Sequence, residues 1–177
     1  MGAHTHTRRA RTGQTSDVRT ALDALRRIVQ GLRLSAAQAE RQTGLTGAQL
    51  FVLQQLADAP AESLNELAQR TRTHQSSVST VVTRLVARGL VSRRRDPVDG
   101  RRLVLDLTAT GKALLADAPE TAQKRLIGAL ERLSHARLRA LASDLQRLVA
   151  ALGMDAAPAP LFFEPVESLG KPGRPTR

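Results

Sequence analysis

A mainly α-helical fold carrying one small β-hairpin is predicted by three observations on this 177-residue chain. Apolar residues recur three and four positions apart along most of its length, the spacing of one helix face. From Val91 to Leu107 that period gives way to two short runs, Val91–Arg95 and Arg101–Leu107, with Leu103, Leu105 and Leu107 alternating after an Asp96-Pro97-Val98-Asp99-Gly100 turn. Two helices joined by a brief turn precede the hairpin, so Glu62 to Thr108 reads as a winged helix-turn-helix between long N- and C-terminal helices.

Residues 1–15 hold His4, His6, Arg8, Arg9 and Arg11 without apolar periodicity and are read as a disordered basic arm. His-Thr-His with no further ligand nearby is a solvated tail rather than a metal site. Ser16 is placed to cap a helix over 16–44 whose face carries Val18, Leu22, Leu25, Val29, Leu32 and Ala36 and which Gly44 ends. A stripe that long suits a helix shared between subunits, with ordinary core packing as the alternative. Thr46 with Gln49 makes a capping box and Leu45 with Leu50 a hydrophobic staple, so the next helix starts at a marked point. Phe51, Leu53 and Leu56 bury it and Ala59-Pro60 stops it, while for Gln49, Gln54 and Gln55 a plain solvated face is the alternative to a functional role.

Within the 45–108 segment, Ser63 and Glu66 form a second capping box, and Thr71 to Thr73 punctuate the short helix that follows. The next helix begins near Gln75, with Val78, Val81, Val82, Leu85 and Val86 committed to a core. Its other residues are Gln75, Ser76, Ser77, Ser79, Thr80, Thr83 and Arg84, short hydroxyls and one cation that let a helix approach a nucleic-acid groove closely. A merely solvated face would look similar, and the surroundings decide between them. Gly89 suits the left-handed position after this helix, with Leu90 folding back on its last turn. Seven arginines then lie from Arg84 to Arg102, among them Arg94, Arg95, Arg101 and Arg102, against Asp96 and Asp99 alone. That density points to a polyanion.

After the wing, Thr108 begins a helix through Lys112, Leu114 and Leu115 that Pro119 must kink or restart. It resumes through Leu126, Leu130 and Leu133. Ser134 caps a last helix in which Leu138, Leu141, Leu145, Leu148 and Leu152 repeat as a heptad seam, so 109–153 reads as a second dimerisation segment, with purely internal packing as the alternative on this pattern alone. The Pro-rich tail, 154–177, contains Leu161-Phe162-Phe163, expected to dock on the body of its own or a partner subunit. Its end faintly resembles the Gly-Arg-Pro core of an AT-hook, but Pro172 stands where an arginine is expected, and a solvated basic terminus is the better reading.

Composition narrows the function. Lys plus Arg exceed Asp plus Glu by 27 − 16 = 11, which favours nucleic acid or an anionic surface. No apolar run is long enough to span a bilayer and no signal-peptide segment precedes the arm, so a cytoplasmic protein without a membrane partner is expected. With no cysteine, disulfides, thiolate metal sites and thiol redox sensing are excluded. With no Trp or Tyr, base-stacking single-strand or RNA modes are disfavoured, leaving duplex DNA. No nucleophile-base pair or phosphate loop is recognisable, and His74 and His135 lack ligand-spaced partners, so no catalytic residue, metal or cofactor is expected.

The order of elements and the phrase VTRLVARGLVSRRRDPVDGRRLVLDLTATG resemble the MarR family of winged-helix transcriptional regulators. Asp99, Arg101, Leu103, Leu105, Leu107, Thr108 and Gly111 match its wing motif, and the resemblance covers roughly 17–153. It implies a homodimer in which the first and last helices of two chains interlock, through residues such as Val18, Leu22, Leu25 and the leucines from Leu138 to Leu152. It also implies that Arg101 probes a minor groove with Asp99 as its holder, and that a small-molecule effector releases DNA. Effector identity is not legible, although the helix starting at Gly47 lines the pocket in the family. The expectation is a regulator, read as a repressor, on a palindromic operator; the rival is an architectural protein coating DNA without sequence choice.

Overall fold

The structure is a computed structural model describing residues 4–95, 103–154 and 159–163, with side chains described from residue 14 and not at 95 and 103. Its elements are α1 (His4–Thr43), α2 (Gly47–Asp58), α3 (Leu64–Arg70), α4 (Gln75–Ala87), β1 (Val91–Arg95), β2 (Leu103–Leu107), α5 (Ala109–Ala116), α6 (Ala122–Glu131) and α7 (His135–Ala151).

Helix α1 starts earlier than the sequence suggested. The arm expected to be disordered forms its first turns from His4, and Ser16 lies inside the helix, its carbonyl accepting from Thr20 Oγ1 at 3.0 Å rather than capping a start. Arg, Ala and Gln favour helix there, and among residues 4–15 only Gly13 opposes it strongly. At the other end Gly44 adopts φ +65 and its N–H donates to the Glu40 carbonyl, closing α1 as expected. The Thr46–Gln49 capping box is formed in both directions, and Leu45 and Leu50 are both fully buried.

From α2 to α5 the chain builds one sealed head. Phe51, Leu53, Leu67, Val78, Val81, Val82, Leu85 and Leu105 are wholly excluded from solvent and share a single cluster. Strands β1 and β2 pair antiparallel in the register Val91↔Leu107 to Arg95↔Leu103. Ala61 adds a one-residue third strand, exchanging both backbone hydrogen bonds with Leu105 at 2.9 and 2.8 Å.

The residues matching Leu-Thr-x-x-Gly acquire a physical explanation. Thr108 Oγ1 donates to the Gly89 carbonyl at 2.7 Å and accepts the Gly111 N–H at 3.0 Å, so one side chain caps α5 and pins the α4–β1 turn. Gly111 then packs so closely that a Cβ would stand 2.2 Å from the Leu90 carbonyl oxygen.

Two expectations about glutamines and caps need correction. Gln54 donates to the Pro119 carbonyl at 2.8 Å and accepts from Thr121 Oγ1 at 3.1 Å, and Gln49 is buried in its capping box. Neither belongs to a solvated face, because the helix break at Pro119 leaves backbone groups that α2 satisfies. Ser63 caps α3 as predicted, but the Glu66 carboxylate reaches the Glu62 N–H at 2.7 Å instead of the cap residue's own. Pro119 does separate α5 from α6, and Ser134 caps α7. Leu161 docks in the core as anticipated for the tail, with Phe162 and Phe163 less covered.

Candidate nucleic-acid interface

Helix α4 is held from three sides, so its outward face is fixed. Its inner residues seal the head. Its start follows a tight turn in which Arg72 takes φ +54 and the Thr73 N–H donates to the Ala68 carbonyl, while buried Thr71 bonds back to Leu67 and Ala68. Its end is closed by Gly89 at φ +67, with Leu90 N–H donating to the Leu85 carbonyl and the Leu90 side chain buried, the arrangement the sequence indicated. Arg88 ties that end to α1 by donating to the Gly44 carbonyl at 2.8 Å.

Gln75, Ser76 and Thr83 are exposed; Ser79, Thr80 and Arg84 are partly so. At about 100° per residue, Ser76, Thr80 and Thr83 lie within about 30° of the direction opposite Val78 and Leu85, with Ser79 and Arg84 about 70° and Ser77 about 90° to its sides. Thr80 and Thr83 donate to the carbonyls of Ser76 and Ser79 at 3.2 and 2.8 Å, which leaves their oxygens as acceptors toward solvent. No side chain caps the N-terminus at His74, leaving N–H groups there for an incoming acceptor.

The hairpin supplies cations beside this helix. Arg94 pairs with Asp106 at 3.1 Å on the outer face of the ribbon and stays well exposed. Arg93, counted among the seven arginines but not among the expected DNA contacts, pairs opposite Leu105 and so starts from the inner face, yet it is exposed and has no ion pair among the described residues. Its long stem lets the guanidinium reach water from an inward position. The Arg95 side chain, the 96–100 turn with Asp99, and Arg101 and Arg102 lie outside the described residues, as does the basic end of the tail. Among the described residues no helix is long and apolar enough to cross a membrane.

A sequence profile described as MarR family matches residues 43–102. The chain is 39% identical over 71 residues to the HTH-type transcriptional repressor NicR of Pseudomonas putida, covering 40% of this chain and 45%, less than half, of that repressor. It is 30% identical over 131 residues to the HTH-type transcriptional repressor Mb2911 of Mycobacterium bovis, covering 74% of this chain and 91% of that one. A solved structure of Bordetella bronchiseptica BpsR, described by the regulation of its DNA binding by 6-hydroxynicotinic acid, is 29% identical with a TM-score of 0.46, covering 76% of this chain and 93% of its own. With a winged helix-turn-helix built on a sealed core, and a relative spanned over nine-tenths of its length, the chain belongs to the MarR family of DNA-binding transcriptional regulators.

Proposed function

We propose that the protein is a cytoplasmic, homodimeric repressor that reads a palindromic duplex operator and is released by a small-molecule effector. The observation carrying this reading is the outward face of α4, polar and small where the opposite face is fully buried, set beside an arginine-bearing ribbon. In a dimer two such helices enter successive major grooves about one turn apart, with the wings in flanking minor grooves. A second copy is called for by the terminal helices: Val18, Leu22, Leu25, Leu141, Leu145, Leu148 and Leu152 are exposed and Leu138 is half-buried in the single chain. An effector site is supported by a cavity of ≈ 500 Å³ between the head and α6, lined by Phe51 and Ile127 and by five cations, Arg70, Arg72, Lys124, Arg125 and Arg132, against Glu120 and Glu131. That lining suits an organic anion with an apolar body. A ligand there would stabilise one angle between head and dimer helices and so one spacing of the two α4 helices.

Selection from random duplexes followed by footprinting tests the reading. A regulator yields a two-fold symmetric site bound about 10³-fold or more tightly than random DNA at the same salt. Near-equal binding to unrelated duplexes establishes the coating alternative instead. On the selected site, Ser76→Ala and Thr83→Ala should reduce preference for operator more than binding to random DNA. At the wing tip, Asp99→Ala weakens binding if it orients Arg101 and tightens it if Asp99 merely repels phosphate; the double variant with Arg101→Ala separates the two.

A further inference from the structure

We propose that Phe162 and Phe163 determine which half-site spacing the dimer accepts, by clasping the joint between α1 and the head. Gly47, the first residue of α2, lies so near α1 that an added Cβ would stand 3.3 Å from that of Ala36, and the Ala122 N–H at the start of α6 donates to Ser35 Oγ at 2.9 Å. With Ala39 of α1 buried in the core cluster and Arg88 donating to the Gly44 carbonyl at 2.8 Å, these contacts are the points about which α1 can pivot on the head.

The chain returns over this pivot after α7. Leu161 anchors it, only 2% exposed within the core cluster. The next two rings, with centroids 6.4 Å apart, line a groove with Leu32, Ala36, Gly47 and Gln123, leaving ≈ 10 Å³ free, too little to hold an ordered water comfortably. At 46% and 39% exposed, the rings are not core residues; what they cover is the seam where α1, α2 and α6 meet. The clasp is held by a narrow margin. Gln123, which also lines the groove, has Oε1 buried without a donor among the described residues, and Phe163 sits in the left-handed region at φ +62. Opening would hydrate the first and relax the second.

The consequence rests on the dimer-on-palindrome reading above. If the dimer axis is fixed by the terminal helices, any rotation at the pivot is carried outward to α4 and changes the distance between the two reading helices. A closed clasp therefore narrows the spacings that bind.

Phe162→Ala/Phe163→Ala, which keeps the Leu161 anchor, tests this on the selected operator and on versions with one base pair inserted or removed between half-sites. Wild-type protein should lose about ten-fold in affinity per changed base pair. The double variant should lose at least about three-fold less, with operator binding otherwise retained, and Phe162→Leu/Phe163→Leu should restore most of the discrimination. An unchanged spacing penalty, or equal loss at every spacing, overturns the clasp. If wild-type protein ignores spacing altogether, the palindrome reading fails first and the clasp with it.

Discussion

Val82 in α4 and Leu145 in α7 occupy similar places in similar apolar patterns, yet the first is 0% and the second 42% exposed. The difference runs through both regions: α4 buries four residues and α7 none. Helical periodicity states that a face must be covered; connectivity decides what covers it. The head elements are short and joined by tight turns at Thr71–Thr73, Gly89 and Thr108, so they fold onto one another. Helix α1, about 60 Å long at the usual rise, and α7 outrun that core and leave their leucines exposed on the single chain.

Breaking the seam should have the largest effect. Leu141→Glu/Leu145→Glu would place four carboxylates in the dimer interface, and operator affinity should fall by about 10³ toward the non-specific level as the protein becomes monomeric by sedimentation. A dimer that persists removes α7 from the interface. The isolated monomer also tests the head's independence, because a cooperative urea transition with helical circular dichroism is expected from a core already sealed within one chain.

In that monomeric background the two regions should diverge further. Leu85→Ala should cost about 2–5 kcal/mol of unfolding free energy, as expected for a fully buried leucine. Leu148→Ala should stay within about 0.5 kcal/mol, having nothing left to pack against. Equal costs would mean that α7 packs on its own chain. Gly111→Ala comes next, at about 1–3 kcal/mol, since its Cβ would collide with the Leu90 carbonyl. Gly31→Ala in α1 meets nothing within 4 Å and should stabilise the monomer by up to about 1 kcal/mol.

What could be read from the sequence follows the same division. Most signals spanning four residues or fewer were legible, among them Gly44 and Gly89 as left-handed stops, the Thr46–Gln49 box and Ser134 as a cap, whereas Ser16, read as a cap, lies inside α1. Those caps close on themselves whatever surrounds them. Illegible were links across tens of residues, such as Gln54 to the Pro119 break, Arg88 to the Gly44 carbonyl, and Ala61 pairing with Leu105. No local pattern announces them, because each side chain could equally face water. Arg93 shows the same limit: strand alternation gives the direction of its Cβ, not where the long stem carries the guanidinium.

The smallest expected effect is a titration in the head. Glu66 accepts the Glu62 N–H at 2.7 Å and pairs with Arg70, which itself donates to the Ala59 carbonyl at 2.6 Å and so binds α3 to the end of α2. The Glu62 N–H foremost, then Arg70, holds its carboxyl below the ordinary glutamate value against an opposing contribution from burial. A lowered folded-state pKa adds stability that is fully present above the unfolded value, about 4.3, and is lost as pH falls through the folded one. Urea midpoints of wild type and Glu66→Gln should therefore differ at pH 7 and converge toward pH 3. The gap should be modest and shrink with salt, since the Glu66 side chain is 40% exposed. A Glu66→Gln gap that stays constant down to pH 3 would assign the carboxylate's role to hydrogen bonding that glutamine cannot copy, with its charge contributing nothing.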